Sequence, residues 1–320
     1  MCRFGDDRRG QFDADRGYFA PASPRAPRGS TNYRGQVRHE PCASRGMVEL
    51  NAAPTVAGCV LAAIDLGPGS RRVLLHAAGL ARLFSTALKV LHLGADASAE
   101  QRHRVWEFCT LRGPYEVDLA EQDIVVRTGL VSEAIYRETA KQRARLVVMG
   151  SRGHGKMATV FLGSTTQAVL RNAPAPILLV PPVDLDIVDL TDRVRLSRGP
   201  VLAAVDLADA NDEQLRFAGE MAQLAGQPLV LLTVTSRLVA DRLSCDMLRD
   251  RAHRAAVLPS ATIVRHGDVA EQISRCAAAE RTGLVVMGLG GKSRRQPGAI
   301  ASAVLRANAG FVLAVPEAAS

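Results

Sequence analysis

The sequence predicts two tandem doubly wound α/β domains, each built on five parallel strands. Two observations carry this. The first is an internal repeat. "VLAAIDL" at 60–66 returns as "VLAAVDL" at 201–207, and "LKVLHL" at 88–93 as "LVLLTV" at 229–234. "IVVRTG" at 124–129 returns as "IVRHGD" at 263–268, and "LVVMG" at 146–150 recurs unchanged at 284–288. "VLRNAPAPILLVP" at 169–181 returns as "VLRANAGFVLAVP" at 304–316. The second observation is that helical periodicity fills the gaps between these apolar runs. Strands alternating with helices imply parallel pairing through right-handed crossovers.

The elements follow in chain order. Residues 1–50 are rich in Arg, Gly, Pro and Ser, lack apolar periodicity and read as a disordered tail. Met47 stands just ahead of the first ordered segment and is an alternative start of translation. The first domain is expected over 56–182, a linker over 183–199 and the second domain over 200–317. In "VSEAIYRETAKQRA" (131–144), Val131, Ala134 and Ile135 make an apolar face, and "VAEQISRCAAAER" (269–281) repeats it with Val269, Ile273 and Cys276. "RLVVMG" (145–150) is an unbroken apolar run, the mark of a strand covered on both faces.

Composition bounds the function. The chain has 320 residues, 47% of them apolar, enough for two ordinary cores. No apolar run is long enough to cross a bilayer, and no secretory h-region is visible at the N-terminus. The six cysteines show no C-x-x-C pair or zinc spacing. Cys59 and Cys276 lie in apolar segments and read as small core residues. These features point to a cytoplasmic, reduced protein. The net charge of +8 owes much to the tail and says little about the folded part.

The segment that carries chemistry is "GSRGHGKMATVFLGST" (150–165). It follows the fourth strand and leads into "STTQAVLRNA" (164–173), a helix that Ser164 is placed to N-cap, with Gln167 completing a capping box. Strand, glycine-rich loop and helix N-terminus make an anion cradle, because glycines admit close backbone approach and the helix end offers free N–H groups. Two familiar phosphate motifs are excluded. A Walker A loop needs a hydroxyl where Met157 stands, and the dinucleotide fingerprint does not follow the first strand, where "LGPGS" is found. Asp65 and Asp206 close the two first strands on the same sheet edge as the loop. An Asp there accepts hydrogen bonds from sugar hydroxyls or an amine; Arg152 and Lys156 supply countercharge.

The spacing G-x2-G-x9-G-[ST] after a strand ending in Met-Gly, with an Asp closing the first strand, resembles the ATP-binding universal stress proteins. The resemblance spans both repeats, roughly residues 56–317, and so implies a tandem member of that family. It implies a Rossmann-like sheet of order 3-2-1-4-5 in each half. It also implies ATP as ligand, accompanied by Mg²⁺. Ala63, Ile64 and Asp65 would line the adenine and ribose end, with Leu93 as an apolar wall. Met149, Gly150, Arg152 and Gly153 would line the nucleotide, and Gly163, Ser164 and Thr165 would hold its phosphates. Arg145 departs from the family, which often has an acidic residue there, but it lies at the far end of its strand. Single-domain members pair between chains, so pairing of the two halves within this chain, or a homodimer, is expected through the last strands.

The second half departs more. Gly298 matches Gly163, but Ala299 and Ile300 replace Ser164 and Thr165, and the loop from Gly291 is three residues shorter. Asp206, Gly288 and Gly291 remain, with Lys292, Arg294 and Arg295 nearby. This half is expected to be a structural or regulatory partner of the first.

No carboxylate pair, metal cluster, nucleophile elbow or Ser/His/Asp set accompanies the loop. His92 lies within a buried strand and reads as a core residue. The expectation is an ATP-binding regulatory module of the stress response, without catalytic residues and with at most slow hydrolysis, acting on a protein partner and not on a membrane. The alternatives are a slow nucleotide hydrolase or phosphotransferase using His154 or Lys156, and a nucleic-acid-associated protein acting through its basic tail. Asp6, Asp7, Asp13 and Asp15 in the tail weigh against the last.

Overall fold

The computed structural model describes residues 2–3, 58–110, 119–151, 163–182, 188–189, 195–196, 199–209, 211–235, 241–290, 299–307 and 310–317. Its strands are β1 (Cys2–Arg3), β2 (Cys59–Ile64), β3 (Ala87–Leu93), β4 (Ile124–Arg127), β5 (Ala144–Gly150), β6 (Ile177–Val180), β7 (Val188–Asp189), β8 (Arg195–Leu196), β9 (Val201–Ala204), β10 (Leu229–Thr235), β11 (Ala261–His266), β12 (Leu284–Gly288) and β13 (Phe311–Val315). Its α-helices are α1 (Ser70–Leu83), α2 (Ala99–Thr110), α3 (Val131–Lys141), α4 (Ser164–Arg171), α5 (Glu213–Leu224), α6 (Asp241–Arg254), α7 (Val269–Ala279) and α8 (Ala299–Arg306).

The sheet runs β4-β3-β2-β5-β6 in the first half and β11-β10-β9-β12-β13 in the second, so each half has the order 3-2-1-4-5 that the resemblance implied. All pairs within these two sets are parallel. Helices cover both faces. Val60, Leu61, Ala62, Val147 and Val148 are fully buried, as an unbroken apolar strand requires.

The two halves belong to one compact unit. Their last strands pair antiparallel, Val312 opposite Leu179 and Ala314 opposite Ile177, which fuses the two sheets into one. Side chains reinforce the seam. Arg145 bonds Glu220 of α5 and lies over the Phe84 ring at 4.6 Å, His76 meets Phe311 edge-on at 4.8 Å, and Phe84 approaches Phe217 at 6.0 Å. Arg145 thus holds the halves together, far from the crevice.

Several expectations change. The tail is not wholly unpaired: β1 runs parallel beside β11. An edge strand offers unpaired backbone groups that an extended segment of almost any sequence can meet. Residues 4–57 lie outside the described residues. The linker contains a short antiparallel pair, β7 with β8. Val131 is 39% exposed at the start of α3, while Ala134 and Ile135 are buried, so the apolar face begins one turn later than the pattern suggested.

Cys59, Cys109, Cys245 and Cys276 are buried and in no disulfide. Burial pushes the Cys59 and Cys276 thiols up to about 11 and that of Cys109 up to about 12.

Candidate functional site

The first crevice opens beyond the carboxyl ends of β2, β3 and β5. In open α/β sheets this is the switch point, because the chain leaves β2 and β5 toward opposite faces. The register brings the predicted residues together: Ala63 stands between Leu91 of β3 and Met149 of β5, and Ile64 lies opposite His92. Ile64 and Met149 are buried, and Ala63, Leu93 and Gly150 are half-buried around the opening. His92 is a satisfied core residue, its Nδ1 3.1 Å from the Ile64 carbonyl oxygen.

Asp65 is exposed at the tip of β2. Its Oδ1 accepts from the Gly67 N–H at 3.0 Å and from the Ser70 hydroxyl at 2.8 Å. Ser70 Oγ accepts in turn from the Asp65 N–H at 3.2 Å. Ser70 is buried at the first residue of α1, and sequence reasoning missed it. Its signal was a hydroxyl residue at a helix start, five positions after the Asp. Leu66, at φ 61°, takes the left-handed conformation that a branched-chain residue adopts only under constraint from its surroundings. The carboxylate is therefore held by its own turn rather than wandering in solvent.

The phosphate end is built from the ends of the glycine loop. The Ser151 N–H donates to the Val180 carbonyl at 2.9 Å, and Gly163 N–H reaches the Ser151 carbonyl at 3.4 Å. The loop thus leaves and re-enters the fold at one point. Thr166 Oγ1 also reaches the Gly150 carbonyl at 3.4 Å. Gly163, not Ser164, is the N-cap of α4, with φ −58° and ψ 143°. The capping box of Ser164 with Gln167 is therefore corrected: Ser164 is the first helical residue and exposed, and Gln167 N–H closes the first turn on the Gly163 carbonyl at 3.0 Å. A glycine satisfies the extended N-cap conformation and leaves the hydroxyls of Ser164 and Thr165 on the first turn, at the positive end of the helix. Arg152, Gly153, His154 and Lys156 lie outside the described residues. So do Gly291, Lys292, Arg294, Arg295 and Gly298 of the second half.

The second crevice repeats the frame with different side chains. Asp206 Oδ1 accepts from the Ala208 N–H at 3.0 Å, the same turn as at Asp65. Behind it, buried Arg251 of α6 bonds Asp212 at 2.8 Å and the Asp206 carbonyl at 2.7 Å, clamping the β9–α5 loop. Gln214 sits on the first turn of α5 and is 8% exposed. Its position in the repeat belongs to Val73 in the first half, a polar-for-apolar exchange that alignment of the two halves would have revealed.

Among the described residues no group of three or more His, Cys, Asp or Glu side chains is placed to hold a metal ion. No helix among them is long and apolar enough to cross a membrane.

Comparison with known proteins agrees with this frame. Residues 111–181 match the model of the universal stress protein family. A universal stress protein of Thermus aquaticus is 42% identical over 59 residues, 18% of this chain and 43% of the relative. One from Mycolicibacterium smegmatis is 33% identical over 113 residues, 35% of this chain and 36% of the relative. The chain spans less than half the length of these curated relatives. In fold, the chain is similar to a putative universal stress protein from Pseudomonas aeruginosa, with TM-score 0.59 and 16% identity over 83% of this chain and 96% of that one. It is also similar to a universal stress protein from Archaeoglobus fulgidus, with TM-score 0.60 and 17% identity over 81% and 98%. The matched segment contains β5 and α4, which border the first crevice, and over this segment the chain is similar to the universal stress protein family.

Proposed function

We propose that the first half binds one adenine nucleotide, ATP with Mg²⁺, and that the chain is a nucleotide-dependent regulatory module of the stress response in the cytoplasm, not an enzyme. The observation that carries this reading is convergence. The strand ends Ala63–Asp65, Leu93 and Met149–Gly150 open onto the same edge as the N-terminus of α4, and the glycine loop is tied shut between Ser151 and Gly163. Apolar walls suit a base, the Asp65 carboxylate suits ribose hydroxyls, and a helix start carrying two hydroxyl side chains suits phosphate. Gly153, Arg152 and Lys156 complete the phosphate end on the strength of the sequence motif. Bound nucleotide would change the surface offered to a protein partner.

Two measurements test this. Mass spectrometry of nucleotide released from the purified chain should find ATP. Calorimetric titration of the nucleotide-free chain should saturate at one equivalent. Turnover of ATP over many cycles, lost with His154→Ala or Lys156→Ala, would favour a hydrolase instead. Failure to bind any adenine nucleotide would sink the proposal.

A further inference from the structure

The second crevice holds a pocket of about 130 Å³ at the carboxyl ends of β9, β10 and β12. Its walls are mostly apolar, among them Leu232, Val234, Ile273, Met287 and Ile300. Its polar groups are Asp206, Asp209 and Gln214. The charged groups among the described lining residues are thus both carboxylates.

Gln214 gives the pocket its chemistry. Its Nε2 donates to the Ala204 carbonyl at 2.7 Å and to the Val286 carbonyl at 3.1 Å. Two carbonyl acceptors fix which end of the amide is nitrogen and use both of its protons. Oε1 is thereby turned over Gly288, where an added Cβ would meet it at 3.1 Å. No described residue donates to this oxygen. An amide oxygen held in place by its own nitrogen's two bonds, at the edge of an apolar pocket, is an acceptor that a ligand's donor can meet.

The structure assigns this pocket to a small apolar heterocycle that carries an N–H donor and no negative charge. A cavity near 150 Å³ holds a benzene ring, so one ring sits inside and any second ring lies toward the mouth. The Met287 sulfur favours an aromatic partner. The ring N–H donates to Gln214 Oε1. Asp209, beside Gly288, disfavours a phosphate or carboxylate, since like charges repel in a partly enclosed site. This inference concerns the second half and does not rest on nucleotide binding in the first.

The test uses the full chain with ¹³C-labelled isoleucine methyls, titrated with indole, 1-methylindole and indole-3-acetate. Indole should shift the Ile273 and Ile300 signals and leave Ile64 and Ile135 in place. Its affinity is expected to be roughly millimolar or tighter, as for fragments of this size. 1-Methylindole, which lacks the N–H, should bind about fivefold to tenfold more weakly, and indole-3-acetate at least about tenfold more weakly. Gln214→Leu should erase the preference for indole over 1-methylindole. Gln214→Met serves the same purpose should the leucine variant fail to fold. The assignment is overturned by unmoved Ile273 and Ile300 signals at the solubility limit of indole. It is equally overturned by indole and 1-methylindole binding the parent alike, or by indole-3-acetate binding as well as indole. ATP titration of the same sample reads the first half separately.

Discussion

The two crevices share one backbone frame and differ in what the following helix lays across it. Eight residues past Asp65 stands Val73; eight past Asp206 stands Gln214. Val73 is buried in the core and carries no polar group. Gln214 reaches the strand carbonyls and covers Gly288 with its amide. At the other end of the frame, Ser164 and Thr165 become Ala299 and Ile300. One half has kept hydroxyls and a long glycine loop where an anion would sit; the other has an acceptor and two carboxylates facing an apolar hollow. Duplicated folds diverge in ligand through a few side chains at the strand ends, while the sheet that positions them stays the same.

The comparison can be broken most sharply at the glycine loop. Gly153→Val is expected to lower ATP affinity about 100-fold or more, because a branched Cβ blocks close backbone approach, while indole binding at Gln214 stays as in the parent. Equal ATP binding by parent and variant in calorimetry would reduce the loop to a turn. The two aspartates come next. Asp65→Ala should cost about tenfold or more in ATP affinity, the weight of a hydrogen bond to a charged group. Asp206→Ala should leave ATP affinity unchanged. The reverse result would move the nucleotide to the second half.

A third contrast is alkaline stability. The Cys59 and Cys109 thiols of the first half are raised from 9.0 to about 11 and about 12, and Cys276 of the second to about 11. A raised folded pKa means that the folded state prefers the protonated thiol. Its contribution is full below about pH 9 and is lost as pH rises toward 11–12. Cys109→Ala should therefore flatten the fall of stability between about pH 9 and 11, by roughly 2–3 kcal/mol. Urea titrations at pH 8 and pH 11 measure it, and an unchanged fall would show that other groups dominate.

Ser164→Ala should act weakly on stability, within about 0.5 kcal/mol, since Gly163 and not Ser164 caps α4. Its effect on ATP should be severalfold, through a lost hydroxyl donor. A thermal midpoint falling as steeply as for a lost N-cap would restore the serine to the cap. The smallest effect is expected from starting the chain at Met47: β1 contributes only two paired residues, so midpoint and ATP affinity should hold. A clear drop in either would show that the tail docks on the fold.

Much of the fold was legible because a parallel strand buried on both faces must be apolar throughout, and five such runs recur in the same order. The edge on which the site lies was legible for the same reason: Asp65 and Gly150 sit where buried runs end. Other features depend on partners far away in sequence. Ser70 matters only because the turn at Leu66 folds it back onto Asp65. Gln214 reads as an ordinary helix-start polar residue until α5 packs over the ends of β9 and β12. The cap of α4 moved by one residue because both Gly163 and Ser164 are acceptable N-caps, and the chain's return to Ser151 decides between them.

The seam of β6 with β13 has a consequence for how the molecule is made. The first half can complete its own five strands as soon as β6 is synthesised, yet the outer edge of β6, "ILLV", has no partner until β13 is reached, some 130 residues later. At roughly 5–20 residues per second the wait is on the order of ten seconds. Throughout it an apolar edge is open to the β13 of another chain, which can pair in the same register. Crowded synthesis or refolding at high concentration should thus yield exchanged dimers, first half of one chain against second half of the next. Size-exclusion chromatography after concentrated and dilute refolding would reveal them as a concentration-dependent second peak.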